Sequence, residues 1–214
     1  MGRLTLDITT SLDGFVAGPN QTLERPLGDG GERLHEWMFA LAAFRGRHGL
    51  DGGETNADTE VLEESLARTG AVIMGRRMFS GGAGPWEDDP NADGWWGAEP
   101  PFHVPVFVLT HHARETVVKD GGTTFTFVTD GVASAIAQAL EAAGGKDVAI
   151  NGGSTVARQA LAAGLLDEIR LDLVPVLLGA GVRLFDGDVP AELEQIGVVE
   201  GRGVTHLAYR VSGR

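Results

Sequence analysis

The chain has 214 residues, 43% hydrophobic and 22% charged, with no cysteine and a formal net charge of −13. The absent cysteines exclude disulfides, a thiol nucleophile and thiolate metal sites, and make the cytoplasm the expected compartment. The acidic balance argues against nucleic-acid or anionic-membrane partners, but leaves room for a phosphorylated small molecule if a few arginines share one cleft.

The length suits one domain with a sizeable core, here residues 1–214. The opening MGRLTLDITTS lacks the apolar core of a signal peptide. No apolar run reaches the length of a membrane span. Arg3–Ser11 alternates, with Leu4, Leu6 and Ile8 on one face, and reads as the first strand. Asp13-Gly14 signals a turn, Phe15–Ala17 resumes an extended run, and Gly18-Pro19-Asn20 ends it.

Leu34, Trp37, Met38, Leu41 and Phe44 fall near helical spacing, and Arg45–Asn56 reads as loop. Thr59–Ala67 reads as a helix with Asp58 as N-cap and Gly70 closing it. Ala71–Met74 is a short apolar strand. Gly81–Pro101, with Trp86, Trp95 and Trp96, reads as an irregular loop pinned by its aromatics. Strands are expected at Pro105–Thr110, Thr123–Thr129 and Val148–Ile150, with a helix at Val132–Ala143.

Beyond Ile150 the periodicity predicts a helix over Val156–Leu166, capped by Ser154 or Thr155. Glu168–Leu178 alternates as a long strand, Val182–Phe185 is apolar, and Leu193–Glu200 and Val204–Val211 read as a hairpin. Strands and helices alternate up to Leu166 and antiparallel strands follow. That pattern implies an α/β fold: a mostly parallel sheet with an antiparallel C-terminal edge. The apolar strand Ile169–Leu178 points to a homodimer through that edge.

The chemistry-bearing stretches fall at strand ends. Asn151-Gly152-Gly153-Ser154-Thr155-Val156 joins a strand to a helix through two glycines, where backbone can approach a ligand and a helix N-terminus favours an anion. A strand–turn–helix junction with no ligand fits the same residues. The spacing is neither GxGxxG nor a P-loop. Gly75-Arg76-Arg77 offers guanidinium forks for phosphate, and Thr110-His111-His112 follows another strand. In α/β sheets, ligands bind beyond the carboxyl ends of strands, so these stretches together favour a cleft for a phosphate-bearing nucleotide. No HExxH and no GxSxG occurs, and adjacent His111 and His112 point apart, so neither a metal site nor hydrolase chemistry is expected.

Ser11–Gly18 (SLDGFVAG), Val72–Phe79 (VIMGRRMF), Pro105–Thr110 (PVFVLT), Asn151–Val156 (NGGSTV), Asp167-Glu168-Ile169 and Val174–Gly181 (VPVLLGAG) occur in order across nearly the whole chain. This ordered set resembles the dihydrofolate-reductase-like superfamily, in its branch related to the reductase domain of the bifunctional riboflavin deaminase–reductase. The resemblance implies a three-layer fold around a mainly parallel sheet. It also implies an NADPH-dependent oxidoreductase of a small heterocyclic substrate.

By position, it implies Val16, Ala17 and Gly18 by the nicotinamide and Gly75, Arg76, Arg77 and Met78 at the phosphate region of the adenosine half. It places Leu109, Thr110 and His111 at the adenine ribose and Gly152, Gly153, Ser154, Thr155 and Val156 at the pyrophosphate. The first-helix carboxylate of folate-reducing relatives has four candidates here, Asp13, Glu36, Asp58 and Glu60, so the catalytic residue stays open. With no cysteine to ligate zinc in these 214 residues, the deaminase activity of the bifunctional relatives is not expected of them. A non-catalytic nucleotide-binding or sensor protein is the alternative reading.

Overall fold

A computed structural model describes residues 2–187 and 190–212. In chain order the first elements are β1 (Leu4–Ser11), β2 (Phe15–Ala17), α1 (Glu36–Phe39), α2 (Ala42–Arg47), α3 (Ala57–Arg68), β3 (Thr69–Gly75) and α4 (Arg76–Ser80). Next come β4 (Pro105–Leu109), β5 (Val117–Val118), β6 (Thr124–Val128), α5 (Val132–Ala142), β7 (Asp147–Ile150) and α6 (Ser154–Ala162). The chain ends on β8 (Glu168–Val174), β9 (Val182–Arg183), β10 (Glu192–Glu200) and β11 (Thr205–Ser212). Two compact units are interleaved along the chain. One joins the residues up to Leu6 with Thr69–Asp167; the other joins Asp7–Arg68 with the chain from Glu168 onward.

In the first unit the strand order is β1–β7–β3–β4–β6–β5. Every pairing is parallel except β5 with β6. Parallel strands are covered on both faces and read as continuous apolar runs. Val72, Ile73, Met74, Val106, Val108, Val148, Ala149 and Ile150 are accordingly buried. Helix α5 lies on β3, β4 and β7, and its small buried face is Ala135, Ile136 and Ala139. Gly70, expected to close the preceding helix, lies inside β3. A Cβ there would sit 2.6 Å from the Ala143 carbonyl oxygen, so only glycine lets the strand pass that helix end.

The core of this unit is aromatic. Phe79 is fully buried and meets Trp86, Phe125 and Phe127 edge-on, with centroids 6.0, 5.0 and 5.1 Å away. Trp86, Trp96 and Phe102 pack on the same cluster, so the loop is pinned by its aromatics as expected. Trp86 Nε1 donates to the His112 carbonyl and Trp95 Nε1 to that of Met78, both at 2.8 Å.

In the second unit, β10, β11 and β8 form an antiparallel series, with a bulge between Gln195 and Gly197. Three expectations change here. The helix expected over Leu34–Phe44 is broken into α1, α2 and a 3-10 turn at Gly31–Leu34. The N-cap of α3 is Asn56, not Asp58: Asn56 Oδ1 accepts the amides of Asp58 (3.0 Å) and Thr59 (3.3 Å). The long strand stops at Val174, since Pro175 cannot donate to a ladder. Strand β8 is covered by β11, so the antiparallel edge is β10.

Beyond Pro175 the chain meets the Ser11–Gly18 motif. The Leu12 amide donates to the Val176 carbonyl (2.9 Å), and β2 pairs with β9. Asp13 accepts the amides of Leu178 (3.1 Å) and Gly179 (2.7 Å). Ser11 Oγ also donates to Asp13 (2.6 Å), and these bonds hold its carboxyl down at about 2. Gly181 has φ +133°, and a Cβ there would lie 2.1 Å from the Ala17 carbonyl oxygen. Glycine is required at that crossing.

Truncating the aromatic hub of the first unit tests this packing. Phe79→Ala should lower unfolding free energy in urea by about 3–5 kcal/mol, whereas Val118→Ala, on a 74% exposed side chain, should change it by less than about 0.5 kcal/mol.

Candidate functional site

Three of the motifs meet in the first unit because their strands are parallel neighbours. The register sets Ile73 opposite Ile150 and Gly75 opposite Leu109, so β7, β3 and β4 end nearly level. At the end of β7 the Asn151 amide donates to the Ile73 carbonyl (3.2 Å), and the chain turns through Gly152 and Gly153 into α6. The cap of α6 is Gly153, with φ +84°, rather than Ser154 or Thr155, and no side chain caps the helix. Ser154 is buried and Thr155 exposed.

The glycines are where backbones close up. A Cβ on Gly75 would lie 3.5 Å from Val156 Cγ2 and 4.0 Å from Gly153 Cα; one on Gly152 would overlap Met78 Sδ. Gly75, Met78, Gly152, Gly153 and Val156 are thus brought together. Leu109 ends the adjacent strand. Thr110 is buried, donates its amide to Val128 (3.0 Å), and accepts the His112 amide on Oγ1 (3.1 Å); His111 is exposed. Val16, Ala17 and Gly18 belong to the second unit.

The paired arginines part company. Arg77 is exposed and makes no ion pair among the described residues. The Arg76 side chain is 7% exposed and its Nη2 lies 2.6 Å from Asp89 Oδ2, on a carboxylate side chain 2% exposed. Arg76 Nη1 donates to Ser80 Oγ, which donates in turn to Asp89 Oδ2 (2.7 Å). The guanidinium lies 3.6 Å from the centre of the Trp86 ring. Burial would raise the Asp89 carboxyl, but Ser80, Arg76 and the Asn91 amide together hold it below the usual carboxylate range.

The fit to a dinucleotide is therefore uneven. An uncapped helix N-terminus beside two glycines suits a pyrophosphate. Arg76 is committed to Asp89 and the Trp86 face and is poorly placed for a second phosphate, although its buried Nε and Nη2 make no hydrogen bond among the described residues.

The second unit holds a polar cluster that sequence reasoning missed. His206 lies directly across from Asp172 in the β8–β11 register. Its Nδ1 is 2.7 Å from Asp172 Oδ1 and its Nε2 is 3.0 Å from Asp58 Oδ1. Trp37 packs edge-on against the ring at 5.2 Å. Burial alone would lower the His206 pKa, but the two carboxylates outweigh it and the value is raised. Asp58 Oδ2 also accepts the Arg202 amide (3.1 Å), so both of its oxygens are committed. Of the four carboxylates offered by the sequence, Asp58 alone is buried in this way; Glu36 and Glu60 are exposed.

Asp7 accepts from Ser65 Oγ, and burial followed by the charge of Asp172 pushes its carboxyl up to about 6. The signal in the sequence was an acid in mid-strand within apolar alternation, in LTLDITT and again in EIRLDLV.

These shifts give a pH dependence. Asp7 binds its proton more tightly folded than unfolded, so its stabilising contribution is complete below about pH 4 and is lost as pH rises to about 6. The raised His206 acts in the same sense at higher pH. Asp7→Asn imitates the protonated acid. It should leave stability at pH 4 nearly unchanged and raise it at pH 7 by up to about 3 kcal/mol, as read from urea unfolding at both values.

The family model for the RibD C-terminal domain matches residues 3–206. No curated protein matches the chain. A solved structure assigned to riboflavin biosynthesis in Shewanella sp. PV-4 is similar over 100% of both chains, with 23% identity and a TM-score of 0.59. The Thermotoga maritima diaminohydroxyphosphoribosylaminopyrimidine deaminase/5-amino-6-(5-phosphoribosylamino)uracil reductase is 14% identical, with a TM-score of 0.59. This chain is covered over 99% of its length but spans only 57% of that enzyme. Dihydrofolate reductase from Enterococcus faecalis, complexed with NADP(H), is 15% identical over 99% of this chain and 98% of its own, with a TM-score of 0.56. These likenesses bear out the α/β fold expected from the motifs, and the family match covers nearly the whole chain: it belongs to the RibD C-terminal domain family, a family of riboflavin-pathway reductases.

Proposed function

We propose that this chain is an NADPH-dependent reductase of a small heterocyclic substrate, of the 5-amino-6-(5-phosphoribosylamino)uracil type, acting in riboflavin biosynthesis in the cytoplasm. The observation that carries this reading is the uncapped N-terminus of the nine-residue α6, set beside Gly75 and Gly153 where β7, β3 and β4 end within two residues of one another. Free amides and the helix dipole there favour a pyrophosphate, and the glycines leave backbone for it to lie against. In this reading Gly152, Gly153, Ser154, Thr155 and Val156 hold the pyrophosphate. Gly75, Arg77 and Met78 serve the adenosine half, and Leu109, Thr110 and His111 flank its ribose.

When bound, NADPH supplies a hydride for an electrophilic carbon. The chain binds, orients and excludes water, and a proton comes from solvent or from a carboxylic acid. Asp58 is poorly suited to give it, because His206 and the Arg202 amide occupy both oxygens.

The reading includes a homodimer, with the second copy on β10. That edge strand exposes Leu193, Ile196, Val198 and Val199 along an open ladder that invites strand pairing. Sedimentation at micromolar concentration should give twice the 22.5 kDa chain mass, and Val198→Lys should return it to one.

Thr155→Asp separates fold from binding. An acid in the first turn of α6 should raise helix stability by about 0.3–1 kcal/mol through the dipole, while its charge repels the pyrophosphate and weakens NADPH at least tenfold. Fluorescence titration with NADPH reads the binding. Unchanged affinity would remove α6 from the site. Loss of NADPH absorbance with the ribosylaminouracil phosphate tests the activity; tight binding with no turnover on any pyrimidine or pterin assigns a sensor instead.

A further inference from the structure

We propose that Asp89 withholds Arg76 from the cofactor, so that Arg77 alone of the arginine pair meets a cofactor phosphate; this rests on the NADPH reading above. Arg76 and Arg77 are adjacent and chemically identical, yet the fold treats them oppositely. Arg76 opens the five-residue α4, and its guanidinium turns inward to Asp89, Ser80 and the Trp86 face. Its Nη1 is taken by Ser80, while Nε and Nη2 are closed to solvent and make no hydrogen bond among the described residues, Nη2 being held to Asp89 as an ion pair.

A phosphate that took the Arg76 Nη2 would have to displace Asp89. Asp89 is itself tied to Ser80 Oγ (2.7 Å) and accepts the Asn91 amide on its other oxygen (2.9 Å). Releasing it would leave a buried carboxylate uncompensated, which costs more than one phosphate contact returns. Arg77 faces no such competitor: it is exposed, it stands one residue further along α4, and no carboxylate pairs with it among the described residues. Asp89 is a positioning residue in this scheme. By holding Arg76 inward it fixes α4 so that Arg77 is presented outward.

Two kinds of variant test the assignment, each read by thermal unfolding and by calorimetric titration with NADPH and NADH. Arg77→Ala should leave Tm unchanged and weaken NADPH about ten- to a hundredfold. Arg76→Met combined with Asp89→Leu removes the buried pair as a unit. It should fold, because apolar groups of similar volume replace such pairs well, and should keep NADPH affinity within about twofold. Arg76→Lys retains a charge opposite Asp89 and decides the matter if the double variant does not fold: unchanged affinity supports the proposal. Loss of NADPH binding in a folded Arg76 variant, or none in Arg77→Ala, overturns it while leaving the reductase reading intact. Wild-type protein that binds neither dinucleotide overturns that reading, and this proposal with it.

Discussion

Parallel pairing of β3 with both β7 and β4 is the constraint on which the anion site rests. Parallel ladders slant their hydrogen bonds evenly, so neighbouring strands in register finish within a residue or two of one another. Here the last pairs are Ile73 with Ile150 and Gly75 with Leu109. Beyond them, Gly152 leaves the space that Met78 fills, Gly153 takes the positive φ of the turn, and the Thr110 hydroxyl satisfies the His112 amide. The helix that follows β7 begins with amides unclaimed by any side chain. Strand order, glycine placement and an uncapped helix are consequences of one register.

Most of this was legible from local pattern. Val72–Met74, Val106–Leu109 and Val148–Ile150 are short apolar runs bounded by breakers, and such runs become buried parallel strands wherever helices cover both faces. What local pattern cannot carry is pairing at a distance. Asp58 and His206 are separated by 148 residues and His206 and Asp172 by 34, and the cross-strand register that joins the latter is set by the whole sheet. The break between α1 and α2 failed to show for a related reason. Leu34, Trp37 and Leu41 have helical spacing, but Leu34 is claimed by a core with Val174, Val176 and Val204, and tertiary packing overrode the period. The cap of α6 was misplaced because serine and threonine outrank glycine in propensity, while Gly153 alone tolerates the φ of +84° that the turn demands.

The chain carries thirteen more acidic than basic charges, yet the buried ones are arranged in near-neutral groups. In the first unit Arg76 balances Asp89. In the second, the His206 ring, its pKa raised by both neighbours, stands between Asp58 and Asp172, and Arg170 joins Glu168 at 3.0 Å. Asp7 is the carboxyl left over, and its raised pKa is the physical result: burial first, then the charge of Asp172, push it up to about 6. The excess negative charge therefore resides on the surface, where water screens it, and does not preclude a phosphate at a site built largely from backbone amides.

The division between Arg76 and Arg77 follows from comparing two magnitudes. Removing one partner of a buried ion pair costs about 3–5 kcal/mol, because the other charge is stranded. A new hydrogen bond to a charged group returns about 1.5–3 kcal/mol net. With a carboxylate 2% exposed, a tryptophan face at 3.6 Å and a serine bridging the two, Arg76 stands on the costly side of that comparison. Arg77, exposed and unpaired among the described residues, gives up only hydration to meet an anion. Two identical side chains in succession thus acquire different work, one holding a short helix against its loop and the other left free for a ligand. The difference is decided by a single carboxylate thirteen residues downstream of Arg76.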